Sequence, residues 1–305
     1  IKHGTFFGKN KMEMITTIIA ITFPIFFITL IGYAYGRRHN PDLGGANKII
    51  IDIALPVLIF VSLSSKSFDP ISALPFTYAS IALIFLSGLI AWPLVKLSGL
   101  SRNAFLPCVM FTNVGPVGIP LIALTYGPES IAYSVVLLVI SNILHFTLGA
   151  GVMNGRIDWR MVYANPLVWA TIFGVGGSEF QLILPETVQT SLTMIGNVLV
   201  PMMLLSLGTR LASSKIKDVS LGIKSTFLII AIRLFTVYLL LLVIPLDGVE
   251  RGAFILSASL PPAVFNFMLA DKYAVEPNKV ASIVFIGHFF SLAFLPIGIF
   301  LALGY

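Results

Sequence analysis

Two stretches of this chain place polar groups where a continuous helix would have none to spare: Asn113-Val-Gly-Pro-Val-Gly-Ile-Pro120 and Leu260-Pro-Pro-Ala-Val-Phe-Asn266. Proline removes a backbone donor and clashes with the preceding turn, and glycine weakens the helix further. Both stretches interrupt apolar sequence long enough to cross a bilayer, so the freed N–H and C=O groups fall at hydrocarbon depth. They are tolerated there only if protein buries them or they line a watery cavity. Half-helix N-termini expose N–H groups and partial positive charge, which suit an anion; C-termini expose carbonyls, which suit a cation. Asn113 and Asn266 add neutral amide donors and acceptors that can meet a carboxylate without burying a charge. Gly115, Pro116, Gly118, Pro120, Pro261 and Pro262 shape the openings. The alternative role of the two asparagines is to cap the half-helices.

The remaining polar residues of the apolar segments are few. Arg233 lies in mid-span, where an arginine costs at least ~2.5 kcal/mol on insertion scales, so it must face protein or water. It either attracts a carboxylate to the site or neutralises a half-helix C-terminus. Asp52 is the only acid well inside an apolar run, one turn before Pro56, and suits a protonatable switch or counter-ion. His145 and His288 are candidate proton carriers, because imidazole titrates near neutral pH. Ser141 and Asn142, one turn before His145, form a polar stripe that could face the first interruption or act as interhelical glue.

The elements that position these residues follow from composition. Of 305 residues, 57% are hydrophobic and only 10% charged, with a mean hydropathy of +0.97, whereas soluble domains carry about 25% charged residues. Apolar runs separated by charged or Pro/Gly-rich punctuation predict an all-α membrane protein of ten spans: 14–36, 45–65, 73–97, 103–125, 130–153, 164–180, 187–209, 221–244, 252–271 and 279–303. The sixth is short and carries Gly174, Gly176 and Gly177. Alternating the loops across the membrane puts Arg37, Arg38, Lys48, Lys96, Arg102, Arg156, Arg160, Arg210, Lys215, Lys217, Lys224, Lys272 and Lys279 on one face. Lys2, Lys9, Lys11, Lys66 and Arg251 lie on the other. The first face is then cytoplasmic and both termini are external. Residues 1–11 read as a non-native leader, and no cleavable signal peptide is evident. The net charge of +6 is explained by topology and not by a nucleic-acid partner. One cysteine, Cys108, excludes an intrachain disulfide and any multi-thiolate metal site.

An offset of 149 residues carries Arg102-Asn-Ala-Phe105 onto Arg251-Gly-Ala-Phe254, Pro128 onto Pro277 and Asn113 onto Pro262. The chain therefore reads as two five-helix repeats, 1–153 and 154–305. An odd number of spans inserts the second copy upside down, the arrangement on which alternating access is built.

At these residues the chain resembles the auxin efflux carrier family, including its compact prokaryotic members. The likeness rests on Asn113-Val-Gly-Pro-Val-Gly-Ile-Pro-Leu121, on Leu260-Pro-Pro-Ala-Val-Phe-Asn266 continuing to Leu269-Ala-Asp-Lys-Tyr273, and on Phe289-Phe-Ser-Leu-Ala-Phe-Leu-Pro296. The resemblance implies interrupted, crossing helices 4 and 9 in a transport domain with helices 3, 5, 8 and 10. It also implies a scaffold of helices 1, 2, 6 and 7 that dimerises, and elevator-like movement of an organic anion. The crossover residues it transfers are Asn113, Pro116, Pro120, Pro261, Pro262 and Asn266. A related fold occurs in bile acid/sodium symporters, which gives the alternative of a sodium-coupled symporter of a bile-acid-like or other organic solute.

The expected function is a secondary transporter of a small carboxylate in the plasma (bacterial inner) membrane, with lipid around it. Asn113, Gly115, Pro116, Gly118, Pro261, Pro262, Asn266 and Arg233 are the expected substrate contacts. Asn113, Ser141, Asn142, Asp52, His145 and His288 are candidates for a coupling Na+ or H+. No cofactor, metal or nucleic acid is expected. An intramembrane hydrolase would need a serine with a base, paired aspartates or a metal-binding His/Glu cluster, and none is present as a motif.

Overall fold

The computed structural model describes residues 11–65, 69–155, 163–213 and 218–304. The charges at Lys2, Lys9, Lys66, Arg156, Arg160, Lys215 and Lys217, and residues 1–10 of the expected leader, lie outside them. The described residues contain helices and an isolated two-residue bridge, with no strand. In chain order the helices are α1 (Lys11–His39), α2 (Gly44–Ile49), α3 (Leu55–Leu63), α4 (Leu74–Ser98), α5 (Arg102–Met110), α6 (Ile119–Tyr126), α7 (Ile131–Leu144), α8 (Ala150–Asn154), α9 (Pro166–Glu179), α10 (Glu186–Asn197), α11 (Leu199–Ser213), α12 (Val219–Leu241), α13 (Gly248–Ala258), α14 (Val264–Lys272) and α15 (Pro277–Ala302). Single π turns join α2 to α3 (Ile50–Ala54), lead into α6 (Val114–Gly118) and join α7 to α8 (His145–Gly149).

Seven helical segments among the described residues are long and apolar enough to cross a membrane: Met12–His39, Gly44–Leu63, Leu74–Ser98, Pro128–Asn154, Glu186–Ser213, Val219–Leu241 and Pro277–Ala302. They correspond to seven of the ten expected spans. The other three are not long continuous helices. Two are the interrupted pairs α5/α6 and α13/α14, and the third is α9, 14 residues long.

Local sequence sets these boundaries. Proline stands in the first turn of α4, α9 and α15, where its missing donor is one the helix would not use, while Pro56 and Pro120 follow π turns that run directly into α3 and α6. The Asn165 and Asp218 side chains accept from the Leu167 and Leu221 N–H groups, ordinary N-cap bonds. Gly99 ends α4 with φ 73, a left-handed conformation that glycine takes without penalty.

Helix association depends on small residues, because lipid offers no hydrophobic drive for apolar helices to separate from it. α1 and α11 pack most extensively on one another. A Cβ on Gly208 would stand 2.1 Å from the Thr29 carbonyl oxygen, and one on Gly32 would stand 2.3 Å from that of Leu205. α9 and α10 pack on α3. Elsewhere α4, α5, α12, α13 and α15 pack together, with Gly222 against Ile286 and Gly298 against Ser259. Ile19, Phe23, Phe27 and Leu30 of α1 are exposed and face the lipid of such a bilayer.

At one end of the bundle the Ser101 N–H donates to Glu276 Oε2 at 2.7 Å, and Lys279 Nζ reaches Glu276 Oε1 at 2.6 Å. This clasp ties the start of α5 to the start of α15. Partial burial raises the Glu276 carboxyl, but the bonds from Lys279 and Ser101 outweigh it and hold the group below the usual carboxylate range.

The α1–α11 contact yields a direct expectation. Gly208→Leu forces the backbones apart, and overpacking costs about 1–3 kcal/mol even where neighbours can yield; here the obstacle is a carbonyl. Size-exclusion chromatography in detergent should show loss of the monodisperse peak, whereas Gly176→Leu, which faces open space, should leave it intact.

Candidate functional site

The two interruptions meet. The chain leaves α5 at Met110, runs extended through Phe111 and re-enters helix at Val114; the second leaves α13 at Ala258 and re-enters at Val264. Thr112 and Pro262 pair as an antiparallel bridge. The Asn113 N–H donates to the Pro261 carbonyl at 2.8 Å, and the Ala263 N–H donates to the Phe111 carbonyl at 3.0 Å. In this register the directly opposed residues, Thr112 and Pro262, exchange no hydrogen bond of their own. The donor that Pro262 lacks is therefore never required, and backbone groups freed by one interruption are satisfied by the other.

The carbonyls at the ends of α5 and α13 are met by one side chain. Arg233, 2% exposed on α12, donates from Nη1 to the Val109 and Met110 carbonyls at 2.9 and 3.2 Å, and from Nη2 to the Ser257 carbonyl at 3.2 Å. A guanidinium at the negative ends of two half-helices is favourable by charge and by hydrogen bonding. Of the two roles open to Arg233 from sequence, these are the bonds of the helix-end partner. Its Nε has no partner among the described residues.

Neither asparagine caps a half-helix with its side chain. Asn113 Nδ2 lies 2.7 Å from His288 Nε2, while His288 Nδ1 lies 2.7 Å from the Val284 carbonyl. A carbonyl only accepts, so the proton is assigned to Nδ1 and Nε2 accepts from Asn113. Asn266 Nδ2 donates to the Phe111 carbonyl at 3.0 Å, and its Oδ1 is buried without a partner. His145 stacks on Phe111, centroids 4.2 Å apart and planes 7° apart, and meets the edge of Phe265 at 5.2 Å. Its Nε2 is likewise buried without a partner of good hydrogen-bond geometry, although the His145 and Asn266 side chains interact with each other. Asn113 thus bonds the histidine of α15, and Asn266 shares its surroundings with the histidine that follows α7. Gly149 makes the stack possible: a Cβ there would stand 2.7 Å from His145 Cδ2 and 2.8 Å from Phe111 Cε2.

Gly115 and Gly118 lie buried on the π turn and Pro116 is half-buried. A Cβ on Gly115 would touch Met203 of α11 at 3.1 Å, so α11 borders the crossing. Gly287 of α15 closes on the Pro262 ring, its notional Cβ 2.8 Å from Cδ. Pro120 lies in the first turn of α6. Among the described residues the N–H groups of Val264 and Phe265, first in α14, have no backbone acceptor, leaving the positive helix end available.

Not every expected residue comes to this place. Asp52 lies on the π turn between α2 and α3 with its side chain exposed, on elements that pack against α9, α10 and α11. Ser141 is buried and Asn142 half-buried at the end of α7, their carbonyls accepting the His145 N–H. Phe111, Gly149, Gly287 and Met203 were not singled out from sequence. Gly149, four residues after His145 and therefore on its helix face, was the one with a readable signal. Among the described residues, cavities open at more than one place on the bundle. One of about 470 Å³, lined by Asp69, Glu179 and Gln181 among others, lies away from the crossing. One of about 320 Å³ runs from Arg210 to Val264, beside it.

A bundle of apolar spans with two interrupted helices bridged at mid-length defines an integral membrane transporter. The chain belongs to the membrane transport protein family, the auxin efflux carrier group, whose model matches it twice, over residues 17–159 and 153–299. It is 27% identical over 292 residues to an "Uncharacterized transporter" of Methanothermobacter thermautotrophicus, covering 90% of this chain and 94% of the relative. It is 23% identical over 309 residues to a "Putative malonate transporter" of Rhizobium meliloti, covering 90% and 93%. With the "Uncharacterized transporter YfdV" of Escherichia coli it shares 22% over 284 residues, covering 86% and 90%.

Arg233→Met would strand three carbonyls. At about 1–3 kcal/mol for each unsatisfied buried group, the loss should reach about 3 kcal/mol or more. Thermal unfolding followed by intrinsic fluorescence should show a clear fall in Tm, with Arg233→Lys intermediate because an ammonium cannot span both helix ends.

Proposed function

We propose that this protein is a secondary transporter of a small organic anion, a carboxylate, bound where the interruptions cross. The observation that carries the reading is the Thr112–Pro262 bridge, which brings two helix breaks together at one depth. Secondary carriers place substrate at such paired discontinuities, where positive half-helix ends meet anionic groups. Asn113, Asn266 and the free N–H groups at the start of α14 are the proposed carboxylate contacts, with Gly115, Pro116, Gly118, Pro261 and Pro262 giving the backbone its opening. The name of the Rhizobium meliloti relative supports a dicarboxylate such as malonate as the first ligand to try.

In this reading the ten expected spans form two inverted five-helix repeats, and the two matches to one family model support that division. α1, α2–α3, α9 and α10–α11 form the scaffold, through which two copies associate. α4 to α8 and α12 to α15 form a transport domain that slides past it as an elevator, carrying the crossing between membrane faces. The chain works in the plasma membrane with both termini outside and performs no covalent chemistry. Coupling to Na+ or H+ falls to the polar set beside the crossing: Asn113, Ser141, Asn142, His145 and His288. The exposed Asp52 is left out of it.

Uptake of radiolabelled malonate into proteoliposomes tests the reading. Asn113→Ala removes a neutral hydrogen bond to a charged ligand, worth about 1.5–3 kcal/mol, so uptake per folded carrier should fall by roughly tenfold or more, with a lower Tm because the buried His288 Nε2 loses its partner. Unchanged uptake would remove Asn113 from the site. A wild-type protein that moves neither malonate nor any other small mono- or dicarboxylate would end the organic-anion assignment.

A further inference from the structure

The cavity of about 320 Å³ between α11, α14 and α15 has a composition that packing alone does not explain. Val264, Phe267, Met268, Ala281 and Phe285 give it apolar walls, and Arg210, Ser213 and Asn278 give it a polar mouth. No acidic residue lines it. Arg210 forms no ion pair among the described residues, where the one pair present is Lys279 with Glu276. Among the described residues its side-chain contact of hydrogen-bonding type is Nη1 to Met268 Sδ at 3.6 Å, a weak acceptor. Arg210 stands in the last turn of α11, at the membrane end of the cavity, with its charge open to an anion entering from the water.

The cavity reaches the element that carries the crossing. Its inner lining residue, Val264, directly follows Ala263, whose N–H holds the bridge to Phe111. On α11, Met203 against Gly115 and Arg210 at the mouth are seven residues apart and share one helix face. One face of α11 therefore borders both the crossing and the cavity, and among the described lining residues Arg210 is the cation.

We infer that this cavity is a second, outer binding site for small carboxylates, in which Arg210 recruits the anion before it reaches the crossing. The inference rests on the carrier reading above. A cation in a narrow, apolar-walled cleft focuses its field and raises the local concentration and entry rate of anions. Phe267 and Phe285 exclude water around the ligand's carbon chain, while Ser213 and Asn278 supply neutral hydrogen bonds.

The test uses Ser213→Cys in the full chain, whose native Cys108 is fully buried and gives no background. In nanodiscs of zwitterionic lipid, anionic and cationic methanethiosulfonate reagents are compared by their labelling rates at position 213. A residue one helical turn from a partly shielded cation should favour the anionic reagent by roughly three- to tenfold. That preference should fall by about twofold or more with Arg210→Gln, Lys215 and Lys217 supplying what remains, and persist with Arg210→Lys. Malonate should slow labelling when Arg210 is present and have no effect in Arg210→Gln.

A rate ratio unchanged by Arg210→Gln would overturn the role of Arg210, whatever the uptake assay shows. Absence of protection by malonate, with protection by phosphatidylglycerol in its place, would overturn the soluble ligand in favour of a lipid headgroup. Intact charge preference and malonate protection without malonate uptake in proteoliposomes would support the outer site and bring down the carrier reading alone.

Discussion

Backbone satisfaction in a medium without water is the constraint on which this architecture depends. Two helices stop and restart at depth, and each interruption frees donors and acceptors that hydrocarbon cannot meet. The structure answers in two ways. The extended segments bond each other, Asn113 to Pro261 and Ala263 to Phe111, and a single guanidinium gathers carbonyls from the ends of α5 and α13. The first device joins the interruptions to each other; the second joins both to α12. Neither half of the crossing is satisfied without the other.

Satisfaction is incomplete at several buried atoms of the bundle, Ser134 and Ser225 hydroxyls included, and two of them lie at the crossing. His145 Nε2 and Asn266 Oδ1 are buried without partners of good hydrogen-bond geometry, whereas Asn113 and His288, the other asparagine and histidine of the crossing, bond at 2.7 Å. Buried polar atoms left open are uncommon, and each calls for an explanation. Asn266 Oδ1 only accepts, so a carboxylate would meet the amide N–H groups of the two asparagines and the start of α14 instead. The rings of Phe111, His145 and Phe265 pack this region tightly, and the bond from Asn266 Nδ2 to the Phe111 carbonyl fixes the amide beside them.

Glycine divides the molecule's contacts by kind. Between α1 and α11, at Gly32 and Gly208, backbone approaches backbone so closely that no side chain fits. Beside the crossing, the neighbour of Gly115 is the flexible end of Met203. Methionine adapts its shape at little cost, whereas a carbonyl wedged against a helix does not. In the elevator reading, the contact that must slide is the one built from the adaptable side chain, and the contact that must hold is the one built from backbone.

Much of this was readable from sequence because lipid imposes simple rules. Apolar length gives spans, proline and glycine give interruptions, and the positions of Asn113, Pro262 and Arg233 mark where polar groups must be met. Seven spans and both interruptions follow from those rules, since each depends on residues adjacent in the chain. What tertiary structure alone decided is which group meets which. Arg233 stands more than a hundred residues from Val109 and turns to carbonyls, not outward to a solute; Asp52, the conspicuous acid, points away from the crossing; Arg210, read as one loop charge among many, heads a cavity. Carbonyls carry no signature in a sequence, and the direction in which a helix face looks is set by its neighbours, so pairing distant groups required the folded chain.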